Sequence, residues 1–286
     1  VRYGACVTDF LPAHNVIAAE DAQPTRTAVL MHGILGSKRN WRSFVRQLVR
    51  DLPDWRFVVP DHRQHGDSTD APPPHTVTAC ADDVWRLLQH LGLEPEVVIG
   101  HSFGAKVALA FAEQYPLGLQ QVWMLDATPG SVEVNEAVLA RHEVVRVIRG
   151  LRQVPQPLAS REDVVHVLGG MGFGPSLARW MTTNLRKSRK PAGGYVWRFG
   201  LDGVEDLLHS YMTTDMWPFV EDLPLDVALH VVRGDRSDIW SDEVLDRLAG
   251  ADGEVRLHLL RDAGHWVHAD NPTDLKALFV SHLEGL

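Results

Sequence analysis

Along most of the chain, short apolar runs rich in Val, Ile and Leu alternate with stretches whose apolar positions recur every three or four residues. Runs of four to six bounded by turn residues predict buried strands at 27–31, 57–60, 96–100, 121–125, 228–233 and 255–260. The amphipathic stretches between them predict helices at 41–49, 80–91, 103–114 and, closing the chain, 273–283. Strand followed by helix, repeated, is the pattern of an α/β domain: a mostly parallel central sheet with helices on both faces.

The rhythm breaks between residues 128 and 225. This part keeps helical periodicity, carries many arginines and offers no convincing strand. It reads as a helical cap, or lid, inserted into a core made of residues 1–127 and 226–286, and Pro155, Pro157, Gly169-Gly170-Met171-Gly172 and Gly193-Gly194 divide it into short helices. A basic cluster within it, Arg186, Lys187, Arg189 and Lys190, reads as a solvated helix end.

Composition narrows the functional classes. With 286 residues, 45% of them hydrophobic, the chain can bury a large core. Acidic residues outnumber basic ones, 37 to 28, and the net charge of −9 argues against a nucleic-acid partner. No apolar run of membrane-spanning length and no leader-like start is visible, so a cytoplasmic location is expected. Cys6 and Cys80 are far apart and lack metal-ligand spacing; neither a disulfide framework nor a metal is expected, and no dinucleotide fingerprint points to an organic cofactor. The oligomeric state is not legible.

The chemistry sits at strand ends. Gly100-His101-Ser102-Phe103-Gly104 follows the run Val97-Val98-Ile99 and opens an alanine-rich helix, the context that makes Ser102 a candidate nucleophile on a sharp strand-to-helix turn. The turn places the positive end of a helix beside the serine. His32-Gly33-Ile34-Leu35-Gly36 forms a loop at the end of another strand; the N–H groups of Phe103 and Ile34, with Leu35 as fallback, are candidate oxyanion donors. His32 itself reads as a structural hydrogen-bonding residue. A serine hydroxyl needs a base near neutrality, and among 15 histidines His265, in Ala263-Gly264-His265-Trp266 after the last strand, is the candidate, with His268 its nearest competitor.

The orienting acid has two possible origins. A carboxylate on the strand ending Met124-Leu125-Asp126, or on the one ending Val232-Arg233-Gly234-Asp235-Arg236-Ser237-Asp238, could reach the same imidazole, because the two strands would lie side by side. Ser237 stands where a G-x-x-D acid would be. Asp126 is therefore the first candidate, with Ser237 donating a hydrogen bond to it, and Asp238 and Asp235 are the alternatives.

Together, four motifs resemble a branch of the α/β-hydrolase superfamily that includes the YbfF-like esterases and abhydrolase-domain-containing protein 11. They are His32-Gly33-Ile34-Leu35-Gly36-Ser37, Asp61-His62-Arg63-Gln64-His65-Gly66-Asp67-Ser68, Gly100-His101-Ser102-Phe103-Gly104-Ala105-Lys106 and Gly264-His265-Trp266-Val267-His268-Ala269-Asp270. The resemblance implies the α/β-hydrolase fold with an inserted cap, an acid after the sixth strand at Asp126 with a serine partner at Ser237, and esterase or thioesterase activity on a small-molecule acyl ester or thioester. Phe103-Gly104-Ala105 departs from the Met-Gly-Gly common in relatives. Carbon–carbon bond hydrolases, acyltransferases and cofactor-free perhydrolases share the constellation, and a ligand-binding receptor on the same fold is a further alternative. Trp180, Trp197, Phe199, Tyr211 and Trp217 are candidates for an apolar acyl pocket under the cap, against the plainer expectation that such residues form its core.

Overall fold

A computed structural model describes residues 9–154, 156–188 and 193–286; Cys6, Pro155, Arg189 and Lys190 lie outside the described residues. From the N-terminus the elements are β1 (His14–Ile17), β2 (Arg26–Met31), α1 (Lys38–Asp51), β3 (Trp55–Pro60), α2 (Val77–Leu91), β4 (Val97–His101), α3 (Phe103–Gln114) and β5 (Gln121–Leu125). Next come α4 (Glu136–Arg141), α5 (Glu143–Gln153), α6 (Glu162–Gly170), α7 (Pro175–Thr182), β6 (Leu185–Lys187), β7 (Tyr195–Trp197), α8 (Leu201–Thr213) and α9 (Trp217–Glu221). The chain ends with β8 (Ala228–Gly234), α10 (Asp242–Ala249), β9 (Val255–Leu260), α11 (Val267–Asp270) and α12 (Pro272–Leu283).

Seven of the described strands form one sheet in the order β1-β3-β2-β4-β5-β8-β9, parallel throughout except for β1, which pairs antiparallel with β3 at the edge. One face is covered by α1, α11 and α12 through Trp41, Phe44, Leu48, Val267, Leu275 and Phe279. The other is covered by α2, α3, α9 and α10 through Val84, Leu88, Val107, Phe111, Val220 and Leu248. Because both faces are buried, the central strands read as unbroken apolar runs rather than alternating ones, which is why the six strands expected at 27–31 through 255–260 recur here with ends shifted by at most two residues. Strand β1 escapes that reading: His14-Asn15-Val16-Ile17 is short and half-exposed at the edge.

The segment between β5 and β8 departs from expectation in one respect. It is mostly helical and has its own core of Val147, Leu151, Leu168, Met181, Trp197, Phe199 and Met212, but it contains the β6–β7 hairpin, so Arg186 and Lys187 lie in a strand and not at a helix end. Three residues per strand are too few for alternation to show in a sequence. Arg186 and Lys187, with Arg39, Arg161 and Arg198, line a second cavity of about 490 Å³.

Several polar links join this segment to the sheet domain. The buried Lys106, on α3, donates from Nζ to the carbonyls of Gly130, Tyr211 and Thr214 at 2.7, 2.7 and 2.8 Å. Burial pushes its ammonium down to about 8, which leaves it charged at neutral pH. Arg198 pairs with Asp67 at 2.8 Å, and Lys38 in turn bridges Asp67 and the buried Asp61. Asn184 Nδ2 donates to Leu35 O at 2.7 Å, and Gly200 N to Gln64 O at 3.0 Å.

Behind the strand ends lies a packed set of neutral histidines. His32 Nδ1 donates to Gly33 O and its Nε2 accepts from His62 N, at 2.7 and 3.1 Å; His65 Nε2 accepts from Leu35 N at 3.0 Å while its Nδ1 donates to Arg63 O. Each ring has a fixed tautomer and a fixed partner, so the loops it supports cannot drift. Burial lowers the pKa of His32, lowers those of His62 and His101 well below the ordinary value, and pushes His65 down to about 3. In the unfolded chain these rings titrate near 6.5, so below that pH the unfolded state binds protons that the folded state refuses, and stability falls as pH falls. Each such ring contributes a slope of about 1.4 kcal/mol per pH unit. The urea midpoint is therefore expected to drop steeply from pH 6.5 to pH 5, with more than two protons taken up per unfolding event; a midpoint flat over this range would show that these rings accept protons in place.

Candidate active site

Ser102 occupies the turn between β4 and α3 at φ 53°, ψ −117°, a left-handed conformation that costs a non-glycine residue about 1–3 kcal/mol. The neighbouring glycines permit it. A Cβ on Gly100 would lie 1.9 Å from Gly104 O, and one on Gly104 would lie 2.6 Å from His32 O, so helix α3 meets β4 and β2 closer than any side chain allows. Ser102 N donates to Leu125 O at 2.9 Å, anchoring the turn to β5.

The strand order brings the other candidates to the same end of the sheet. β5 and β8 are neighbours, as the two possible acid positions require. Asp126, fully buried at the end of β5, accepts from Ser237 Oγ at 2.6 Å and Gly234 N at 3.1 Å, and its Oδ2 lies 2.8 Å from His265 Nδ1. A carboxylate oxygen only accepts here, so Nδ1 carries the proton and Nε2 is left with a free lone pair. Asp238 and Asp235 are exposed; Asp235 accepts from Ala263 N at 3.1 Å, and backbone N–H donors hold its carboxyl below the usual range. His268 does not reach Asp126 but stacks on Trp41, ring centroids 4.1 Å apart. His265 and Ser102 line one cavity of about 400 Å³.

Ile34 also lines that cavity, and among the described residues no protein acceptor takes its N–H or that of Phe103, the first residue of α3. The fallback donor is corrected: Leu35 N–H is already given to His65 Nε2, and its side chain is buried against the helical segment.

The aromatic candidates divide. Trp180, on α7, lines the cavity and packs on Trp266 with ring centroids 5.1 Å apart. The other four do not line it. Trp197 and Phe199 stack on each other at 5.2 Å inside the segment's core, Tyr211 lies half-buried beside Phe103 and Lys106, and Trp217, the first residue of α9, is buried with Arg247 over its ring. For these the plainer expectation, core, holds.

Sequence reasoning missed two positioning residues. Trp240 Nε1 donates to Asp126 Oδ1 at 2.8 Å, and His101 Nε2 donates to His265 O at 2.7 Å, holding the histidine loop from beneath. Nothing in their spacing marks them, although His101 stands inside the G-x-S-x-G motif and could have been asked for a partner. The cavity wall further includes Phe44, Val144, Val147, Leu177 and Trp266, none of them singled out beforehand as pocket residues.

Comparison with known proteins agrees with the architecture. The family model described as alpha/beta hydrolase fold matches residues 28–158. The chain is 26% identical over 271 residues to the mouse (Mus musculus) sn-1-specific diacylglycerol lipase ABHD11, covering 95% of this chain and 84% of that one. It is 29% identical over 270 residues to Lipase LipV of Mycobacterium tuberculosis, covering 91% and 94%. Among solved structures, a marine microorganism esterase superposes with a TM-score of 0.78 at 22% identity, covering 96% of this chain and 99% of the other. Among the described residues no helix is long and apolar enough to cross a membrane. By its sheet order and these likenesses, the chain has the alpha/beta-hydrolase fold, and over nearly its whole length it is similar to proteins named as lipases and esterases.

Proposed function

We propose that this protein is a serine esterase acting on small-molecule acyl esters or thioesters, with Ser102 as nucleophile, His265 as base and Asp126 as orienting acid. The observation that carries the reading is the 2.8 Å contact of His265 Nδ1 with a fully buried Asp126, in a cavity that also exposes Ser102. Ser102 Oγ attacks the acyl carbon while His265 Nε2 takes its proton. The carbonyl oxygen, now an anion, is held by the N–H groups of Phe103 and Ile34 at the positive end of α3. Collapse expels the alcohol or thiol, which leaves with the proton from His265; a water deprotonated by His265 then attacks the acyl-enzyme and restores Ser102.

In this reading residues 128–225 form the cap, residues 1–127 and 226–286 form the core, and Trp180 closes the acyl pocket from the cap side against Trp266. The apolar lining of Phe44, Val144, Val147 and Leu177 favours an acyl chain of medium length. The lipase and esterase names of the relatives support the same class of reaction.

A p-nitrophenyl ester series tests the assignment. Ser102→Ala is expected to abolish turnover and labelling by a fluorophosphonate, and Asp126→Asn to lower kcat by about 10³–10⁴ because the amide favours the wrong imidazole tautomer. Asp238→Asn should stay within a factor of about two of wild type; collapse of that variant with Asp126→Asn active would move the acid to Asp238. If Ser102 is labelled but no ester is hydrolysed, water is not the acyl acceptor.

The acyl-length profile reports on the pocket. Wild type should peak at medium chains, and Trp180→Ala should raise KM for those chains about tenfold while sparing acetyl esters, as loss of roughly 1–2 kcal/mol of apolar contact implies. A profile equally flat in both proteins would remove Trp180 from the acyl site.

A further inference from the structure

On the sheet face opposite α3, outside the cavity that Ser102 lines, three histidines converge from three elements. His230 on β8 is buried, while His258 on β9 and His282 on α12 are half-buried, and one ring nitrogen from each lies within 4.8 Å of the other two. β8 and β9 are parallel neighbours in a register that puts His258 two residues beyond the partner of His230, hence on the same face. α12 crosses that face with His282 three residues after Phe279, and both side chains meet Trp123 edge-on.

From this arrangement we infer that His230, His258 and His282 form a binding site for a divalent transition ion of the zinc type, with water completing the coordination. The rings are placed as ligands. His230 Nδ1 and His258 Nε2 are 3.1 Å apart, close to the roughly 3.3 Å that separates two ligand nitrogens about 2.0–2.1 Å from a tetrahedral zinc. His282 Nδ1 lies 2.9 Å from both Leu278 O and Ser281 Oγ; donation to that carbonyl leaves Nε2 with its lone pair, as outer carbonyls do for metal-bound imidazoles. Trp123 stacks under His230 and His258, at 4.0 and 5.7 Å, and fixes their planes.

Two further facts bear on it. His230 Nε2 is buried without a hydrogen-bond partner, and it is Nδ1 that lies against His258 Nε2, so Nδ1 is the His230 nitrogen placed to ligate. His258 and His282 are only half-buried, so an ion with its waters can reach the cluster from solvent. The opposing charge is Arg256, which is paired with Glu254; the donor set, all imidazole, suits a zinc-type ion and not a hard cation that wants oxygen ligands. The ion would tie β8, β9 and α12 together, and the loop carrying His265 runs between the last two.

The test is a titration of untagged, chelator-treated full chain with Zn²⁺ by calorimetry, and with Co²⁺ by visible absorption. The expected result is one Zn²⁺ per chain at micromolar concentration, a thermal midpoint raised by several degrees, and the intense bands of four-coordinate Co²⁺. Mg²⁺ and Ca²⁺ should do none of this. His258→Gln with His282→Gln, both at half-buried positions, should weaken Zn²⁺ by roughly 100-fold or more, whereas His265→Gln should leave it unchanged. Binding that survives the double variant, that is lost with His265→Gln instead, or that never occurs in wild type would overturn the proposal. The readout is metal binding and not ester turnover, so it stands or falls separately from the esterase reading.

Discussion

A carboxylate with no exposure to water keeps its charge only if the fold itself supplies its hydrogen bonds, and Asp126 receives them from two separate segments. Gly234, Ser237 and Trp240 come from the end of β8 and the loop after it, and His265 comes from the loop after β9. Removing one partner of a buried charge costs about 3–5 kcal/mol, so these loops are held to one arrangement by the charge they serve. The positive φ of Asp126, 44°, belongs to the same constraint: the backbone turns sharply out of β5 so that the side chain points across β8 toward the histidine loop while its N–H still pairs with Val232 O at 2.8 Å. Orientation of His265 is thus a property of the sheet order, since only strands adjacent as β5, β8 and β9 are could deliver these groups to one point.

The second constraint is steric and lies one strand away. The strained Ser102 turn needs α3 pressed against β2 and β4, and the alanines at 105, 108, 110 and 112 are the side chains that let it do so. Close approach also aims the unpaired N–H groups of the first helical turn at the cavity. The loop carrying Ile34 is supported separately, by the histidine set behind it and by Asn184 from the helical segment. Strain at Ser102, about 1–3 kcal/mol, is small beside the burial of Phe103, Val107 and Phe111, which are 1%, 0% and 0% exposed and at about 1.5–3 kcal/mol each offset it several times over.

What the sequence made legible follows from how local each signal is. The elbow, the glycine loop and Gly264-His265 are contiguous motifs at strand ends, and a buried parallel strand announces itself as an apolar run. Asp126 could be reached because strand adjacency is a topological inference that needs no side-chain geometry. Trp240 and His101 could not, since each acts through one hydrogen bond to a residue distant in sequence or across a loop. Four of the five aromatics named in the helical segment do not line the cavity, for a related reason: burial in a small lobe and burial against a ligand leave the same mark on a sequence. His230, His258 and His282 are spaced by 28 and 24 residues, and only the parallel register of β8 with β9, and the path of α12 across them, brings their rings together.

The helical segment is attached to the sheet domain in a manner suited to its position. Its apolar core is built mostly from its own residues, with Leu35 entering from the sheet domain, and several of its contacts with the domain below are polar: the Lys106 ammonium under three carbonyls, Arg198 on Asp67, Asn184 on Leu35, Gly200 on Gln64. Leu207, Trp217, Phe219 and Val220 pack into the core of the sheet domain, while the directional polar bonds fix where the rest of the segment sits. Phe44 on α1, Val144 and Val147 on α5, and Leu177 and Trp180 on α7 together supply the apolar lining of the cavity. Lys106 matters most here, because it stands four residues after Ser102 on the helix that begins at the elbow: the same rigid element holds the serine at one end and, one turn along, the backbone of the segment that roofs it. A change in that segment's position must therefore either break three charged hydrogen bonds or move α3, and moving α3 is what Gly100 and Gly104 leave no room to do.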